Sequence, residues 1–192
     1  MMYQIVAAML LLAFYGCYFG KMLLQKRKGI QTDQMGKGKT GTALHIERTL
    51  KLTTIAVVAG EAISLLLGIT VLPDGLRWAG LILTAIGTGV FIVSVVTMRD
   101  SWRAGVAETD KTDLITAGIY SISRNPAFLG FDLVYAGILL TFFSWWLAAL
   151  TVFAIIVLHV QITRVEEPFL RMVFGKDYRA YESQVCRYLG RH

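Results

Sequence analysis

Two polar clusters carry the residue types that could do chemistry: Arg124-Asn125-Pro126-Ala127-Phe128-Leu129-Gly130, and Arg164-Val165-Glu166-Glu167 followed by Phe174-Gly175-Lys176-Asp177-Tyr178. Both stand at the ends of apolar runs, where charged groups are expensive unless paired or used. Pro126 suits the first turn of a helix with Asn125 as its cap, and such a helix start offers unpaired backbone N–H groups to a polar ligand. On a straight helix Arg164 and Glu167 share a face near His159 and Thr163, while Glu166 points about a quarter-turn away. A solvated charged helix end is the competing reading. The spacing of Phe174, Tyr178, Tyr181, Val185 and Tyr188 weighs against it, because it predicts an amphipathic helix or helix pair folded back along a membrane surface.

The elements that position these clusters follow from composition. The chain has 192 residues, 55% of them hydrophobic, with three prolines and a mean hydropathy of +0.57, too apolar for an ordinary soluble domain. Apolar windows lie at 5–24, 52–72, 76–98, 126–143 and 145–163, each near the roughly 20 residues that cross a hydrocarbon core of about 30 Å. The fold class expected is an all-α integral membrane protein of about five transmembrane helices with a cytosolic C-terminal cofactor-binding region. It forms one domain over 1–192: three N-terminal spans in 1–98, then a loop, helical hairpin and amphipathic region in 99–192. The first window reads as a retained anchor, since basic residues follow it and none precede it.

Charge sets the expected topology. All Lys and Arg residues except Arg77 fall on one side of a five-span arrangement, which makes that side cytosolic, the N-terminus external and the C-terminus internal. The net charge of +6 then reports sidedness and contact with anionic membrane lipids rather than nucleic acid. Cys17 and Cys186 are too far apart in sequence to suggest a disulfide framework, and no metal site is expected.

Within the spans, Ala56, Gly60, Ser64 and Gly68 recur every fourth residue and predict a close-packed face. Gly80, Gly87 and Gly89 offer the same in the third span. The short connection around Ser144 predicts a tight hairpin of the last two spans. Glu61, inside the second span, reads either as a polar group of a substrate cavity or as a hydrogen-bonded acid between helices, and His159 as an interface residue. The loop over 25–51 reads as flexible and basic. Its Gly36-Lys37-Gly38-Lys39-Thr40-Gly41 run lacks the preceding strand and glycine spacing of a phosphate loop. The connection over 99–124, punctuated by Trp102 and Tyr120, reads as an ordered lid.

From Trp102 to Tyr188 the order of elements resembles the integral-membrane methyltransferases that include isoprenylcysteine carboxyl methyltransferases and phospholipid N-methyltransferases. The elements are Trp102-Arg103, Leu114-Ile115 with Gly118-Ile119-Tyr120, the Arg-x-Pro-x-aromatic-x-Gly run, the paired glutamates, and Phe174-Gly175 with Tyr178 and Tyr181. The resemblance implies S-adenosylmethionine at the cytosolic side and a lipophilic small-molecule or lipid acceptor entering from the bilayer. It places Leu114, Ile115 and Tyr120 at the adenosyl end, and Arg124, Asn125, Pro126, Ala127 and Phe128 as the cradle. The paired Glu166 and Glu167 stand beside the cofactor, Glu167 holding its amino group, and Arg164 is the catalytic residue that faces the acceptor or orients Glu167. The familiar Arg-His-Pro-x-Tyr form is departed from at Asn125 and Phe128, which removes a ring nitrogen and a hydroxyl but keeps an aromatic face.

The donor's sulfonium is already activated, so methyl transfer needs mainly alignment and a dry site. The acceptor is a prenylcysteine carboxylate, a lipid amine or a thiol on this reading, in a bacterial-type cell membrane. Two alternatives belong to other classes: a membrane sterol or steroid reductase using NADPH, and a non-catalytic helical module. The reductases show an Asn-Tyr-x-Gly-acid element, whereas here Gly130 is followed by Phe131 and only then Asp132.

Overall fold

The computed structural model describes residues 1–106 and 112–192. Among them the chain is all-helical: α1 (Met2–Arg27), α2 (Gly41–Leu67), α3 (Asp74–Met98), α4 (Pro126–Thr141), α5 (Trp145–Gln161) and α6 (Glu167–Gln184), with short 3-10 turns at Arg99–Ser101 and Gly118–Ser121. A π turn, Ile162–Glu166, joins α5 to α6. Four helices are long and apolar enough to cross a membrane, and α4 is a shorter apolar helix. Leucine and isoleucine side chains along α1, α2, α3 and α5 stay exposed, as a hydrocarbon solvent requires.

Glycine decides the tightest contact. Gly80 and Gly87 of α3 face Gly130 and Gly137 of α4 so closely that a Cβ on Gly87 would lie 2.8 Å from the Leu133 Cβ and 2.9 Å from the Gly130 carbonyl. α4 therefore packs most extensively on α3, and α5 on α2. The last two spans are indeed joined by a short turn, with the Ser144 side chain accepting from the Leu147 N–H, but each pairs chiefly with an earlier helix. On α2 the buried stripe is Thr53, Val57, Gly60, Glu61 and Ser64, and Ala56 is exposed. A strict four-residue repeat drifts off one face of a helix with 3.6 residues per turn. Gly60 stays on the stripe, where a Cβ would meet Leu150 at 3.0 Å and Trp146 at 3.1 Å.

The connections after α1 and α3 are built rather than slack. Helix α2 begins at Gly41, well before its apolar window, and the buried Glu47 carboxylate accepts from the Gly36 N–H (2.6 Å), the Gln161 side chain (3.3 Å) and the Lys39 ammonium. Lys39 is thus half of a buried ion pair. Gln25, fully buried, donates to the Trp102 carbonyl at 3.0 Å, and Thr32 donates to Gln25 at 2.6 Å. Asp33 and Ala104 form a one-residue parallel bridge. These contacts replace the flexible loop expected over 25–51 with one that is tied to the connection after α3. Residues 107–111 of that connection, part of the expected lid, lie outside the described residues.

Candidate active site

One cavity of about 440 Å³ lies between the helices and these connections. Its polar end is walled by Leu114, Ile115, Tyr120, Arg124, Asn125, Ala127, Phe128 and Glu166, and its membrane end by Tyr15, Ile55, Val58, Phe91, Phe131 and Tyr135. Eight of the residues expected around the cofactor therefore share one enclosure. Among the described residues Pro126, Glu167 and Arg164 do not line it. Pro126 opens α4 behind the wall, and Arg164 is exposed.

The π turn explains the placement of the two glutamates. A π turn inserts an extra residue into the helical register, so the straight-helix geometry expected for Arg164, Glu166 and Glu167 does not hold. Glu166 reaches the cavity wall, whereas Glu167 is turned into a cluster of arginines. Arg187 holds Glu167 bidentately at 2.8 and 2.9 Å. Arg124 approaches it at 3.0 Å and Arg171 at 3.4 Å. Glu182 completes the network with Arg124 at 3.0 Å and Arg171 at 2.6 Å, and the Arg171 hydrogen bond holds the Glu182 carboxyl below its ordinary value. Glu167 is 1% exposed, so its charge is committed to guanidinium groups.

Glu166 lies in the π turn beyond the apolar part of α5. Burial pushes its carboxyl up to about 7, partly offset by a hydrogen bond from Gln161, with the Glu47 charge nearby adding to the rise. Gln161 also donates to Glu47, so a chain of polar contacts runs from Lys39 through Glu47 and Gln161 to the cavity. Glu47 belongs to no motif read from the sequence, and Lys39 only to the glycine-lysine run that lacks the spacing of a phosphate loop.

The remaining wall is fixed by α6 and the tail. Gly175 adopts φ 52° inside α6 and bends it, which seats Tyr178 and Tyr181 in a small apolar cluster with Leu114, Leu170 and Phe174. The Tyr181 hydroxyl donates to the Tyr120 carbonyl at 2.5 Å, and Arg124 donates to the Tyr178 hydroxyl at 3.1 Å. Asn125 sits at the N-cap position of α4, yet its side chain donates to the Arg187 carbonyl at 3.1 Å instead of capping the helix. Trp102 is 4% exposed and packs edge-on against Tyr18 and Phe91, so it is a cavity wall and not a membrane-interface anchor. His159 lies outside the cavity, hydrogen-bonded and stacked with Tyr188 at 2.7 Å. Two polar atoms at the polar end, the Tyr120 hydroxyl and the Arg124 Nε, are buried without a hydrogen-bond partner.

What this arrangement can do is hold a charged, polar molecule at one end and an apolar one at the other, out of water. No curated protein matches the chain. The model of the phospholipid methyltransferase family matches residues 76–177, from the start of α3 through the bend in α6, which is more than half of the chain and spans the polar end of the cavity. The chain is a membrane protein of the phospholipid methyltransferase family.

Proposed function

We propose that the chain transfers a methyl group from S-adenosylmethionine to a small lipophilic acceptor, carried by one observation: a single cavity joins a polar cytosolic end to an apolar end among the membrane helices. When bound, S-adenosylmethionine supplies a sulfonium-activated methyl group, which passes to a nucleophile while the sulfur departs as a neutral thioether. The residues fit that molecule. Glu166 offers a carboxylate to its ammonium group, and Arg124 with its free Nε, beside the free Tyr120 hydroxyl, offers donors to its polar groups. This moves the ammonium partner from Glu167 to its neighbour and leaves Glu167 to hold Arg124, Arg171 and Arg187 in place. The aromatic faces of Trp102, Tyr120 and Phe128 favour a cation in the cavity.

The chain's part in the reaction is alignment and exclusion of water. Phe91 packs against both Phe131 and Trp102 in the cavity wall, which helps to exclude water, and orientation in such an enclosure can supply much of the barrier reduction. Basic residues on one side support an external N-terminus and a cytosolic C-terminus. The acceptor class stays as broad as a prenylcysteine carboxylate, a lipid amine or a thiol. The test is calorimetry on the purified chain in nanodiscs with S-adenosylmethionine and, separately, NADPH, followed by incubation with labelled methyl donor and membrane lipid extract. Binding of S-adenosylmethionine alone and label in an organic-soluble product are expected. Binding of NADPH alone would overturn the reading in favour of a reductase.

A further inference from the structure

The seams between the helices around the cavity are not equally sealed. Phe14 of α1 packs on Phe91 of α3 with ring centroids 4.7 Å apart. Facing glycines close α3 on α4, and Gly60 lets α2 lie against Leu150 and Trp146 of α5. A groove lined by Leu129, Asp132, Ile155 and Ile156 of α4 and α5 shares no residue with the cavity wall. The seam between α1 and α2 differs. Near the start of α1, Gln4 donates to the Leu65 carbonyl at 2.9 Å and stands against Gly68, and farther along Tyr15 donates to Glu61 at 2.6 Å. Beyond that bridge the two helices part, because α1 packs chiefly on α3 and α2 on α5. Phe19, Ile55 and Val58 line the cavity, yet they are 54%, 61% and 36% exposed. Side chains that face a cavity and the surroundings at once mark an opening. At its other end stands the Asp33–Lys51 ion pair, 2.7 Å long, with both residues again on the cavity wall.

We infer that this slot between α1 and α2, framed by Tyr15–Glu61 at one end and Asp33–Lys51 at the other, is the passage by which the hydrocarbon body of the acceptor moves sideways between bilayer and cavity. From Val58 to Lys51 it runs roughly 10 Å along α2, at a rise of about 1.5 Å per residue. Its rims at Phe19, Ile55 and Val58 are as apolar as lipid tails, so a chain crossing them exchanges one hydrocarbon contact for another. The polar end of the same molecule can pass beside Asp33 and Lys51, which spares it a costly crossing of the apolar stretch. Glu61 also gains a reason to lie within a span: it ties α2 to α1 at one point and so fixes where the slot stops. The slot residues precede the residues 76–177 that match the family, so the passage belongs to this chain's own N-terminal helices. The inference rests on the methyl-transfer reading only in calling the passenger the acceptor.

The experiment is photolabelling in nanodiscs with a fatty alcohol that carries a diazirine in mid-chain, mapped by mass spectrometry and run without S-adenosylmethionine. Wild type should be labelled not only at Leu66 and Phe153, which are exposed, but also at Phe131, whose ring lies among Phe14, Tyr18 and Phe91. Filling the slot with Ile55→Trp and Val58→Trp together should lower labelling of Phe131 severalfold and leave Leu66 and Phe153 unchanged. Leu52→Trp, on the same helix but off the cavity wall, and Ile156→Trp, in the separate groove, should not lower it. A thermal melt reports that each variant is folded, and Val58→Trp alone serves if the pair is unstable. Absence of label at Phe131 in wild type overturns the passage. Labelling that survives the filled slot, or that falls equally with Ile156→Trp, overturns it as well. Failure of S-adenosylmethionine to bind wild type would instead overturn methyl transfer, and the labelling would still decide the slot.

Discussion

Because burial pushes the Glu166 carboxyl up to about 7, the empty site is partly protonated at neutral pH. A ligand ammonium favours the carboxylate, so S-adenosylmethionine affinity should rise as pH increases through about 7, with proton release on binding below that point. Calorimetry in two buffers of different ionisation heat checks this between about pH 6 and 7, where an α-amino group with a pKa of about 7.7–8.0 keeps most of its own proton. Glu166→Gln should weaken binding by roughly 1.5–3 kcal/mol, the range for hydrogen bonds to charged groups, and flatten that pH profile. Glu167→Gln should act differently. It leaves Arg124, 6% exposed at its side chain, without one of its two carboxylates, and a thermal melt should show destabilisation of up to about 3 kcal/mol, with little change in the pH profile. The cavity-lining members of the Arg124 motif and of the Leu114–Tyr120 segment were legible because each is a short local pattern. The different placement of the two glutamates was not, since a π turn has no sequence signature and moves every later side chain around the axis.

At the scale of elements, the contact between α3 and α4 depends on glycines whose carbonyls lie against the facing helix. Gly87→Ala would put a methyl 2.8 Å from the Val134 backbone nitrogen, a neighbour that cannot rotate away, and should cost roughly 1–3 kcal/mol as overpacking. Gly89→Ala, on the same helix but with nothing within 4 Å, should leave the melting temperature equal or raised, since alanine is the better helix former by about 1 kcal/mol. Melting both variants in one detergent is the measurement. The hydrophobic windows located every span, and Gly60, Gly80 and Gly87 marked faces that meet, whereas Gly89 is exposed with nothing against it. They did not show which helices would pair, nor that α2 extends back to Gly41, because that extension is held by Glu47, whose partners come from distant segments.

For the whole molecule, the distribution of basic residues gives a directional expectation: cysteines introduced at Lys37 and Ser183 should react with an impermeant reagent only from the cytosol, and one at Asp74 only from outside. Reaction of Lys37 and Asp74 positions from the same face would contradict the proposed orientation. Fold class was readable at this scale because a hydrocarbon solvent admits few solutions, whereas the enclosure itself was not, since its walls come from both ends of the sequence. Tyr15 in the first helix and Tyr181 in the last line the same cavity. A chain leaves the ribosome N-terminus first, so α1 to α5 can all enter the bilayer before the residues of α6 that close the cavity have been synthesised. A product that stops after Gln161 should then insert yet leave the cavity without the wall that Phe169, Phe174, Tyr178 and Tyr181 supply, so the enclosure is finished only when α6 has been made.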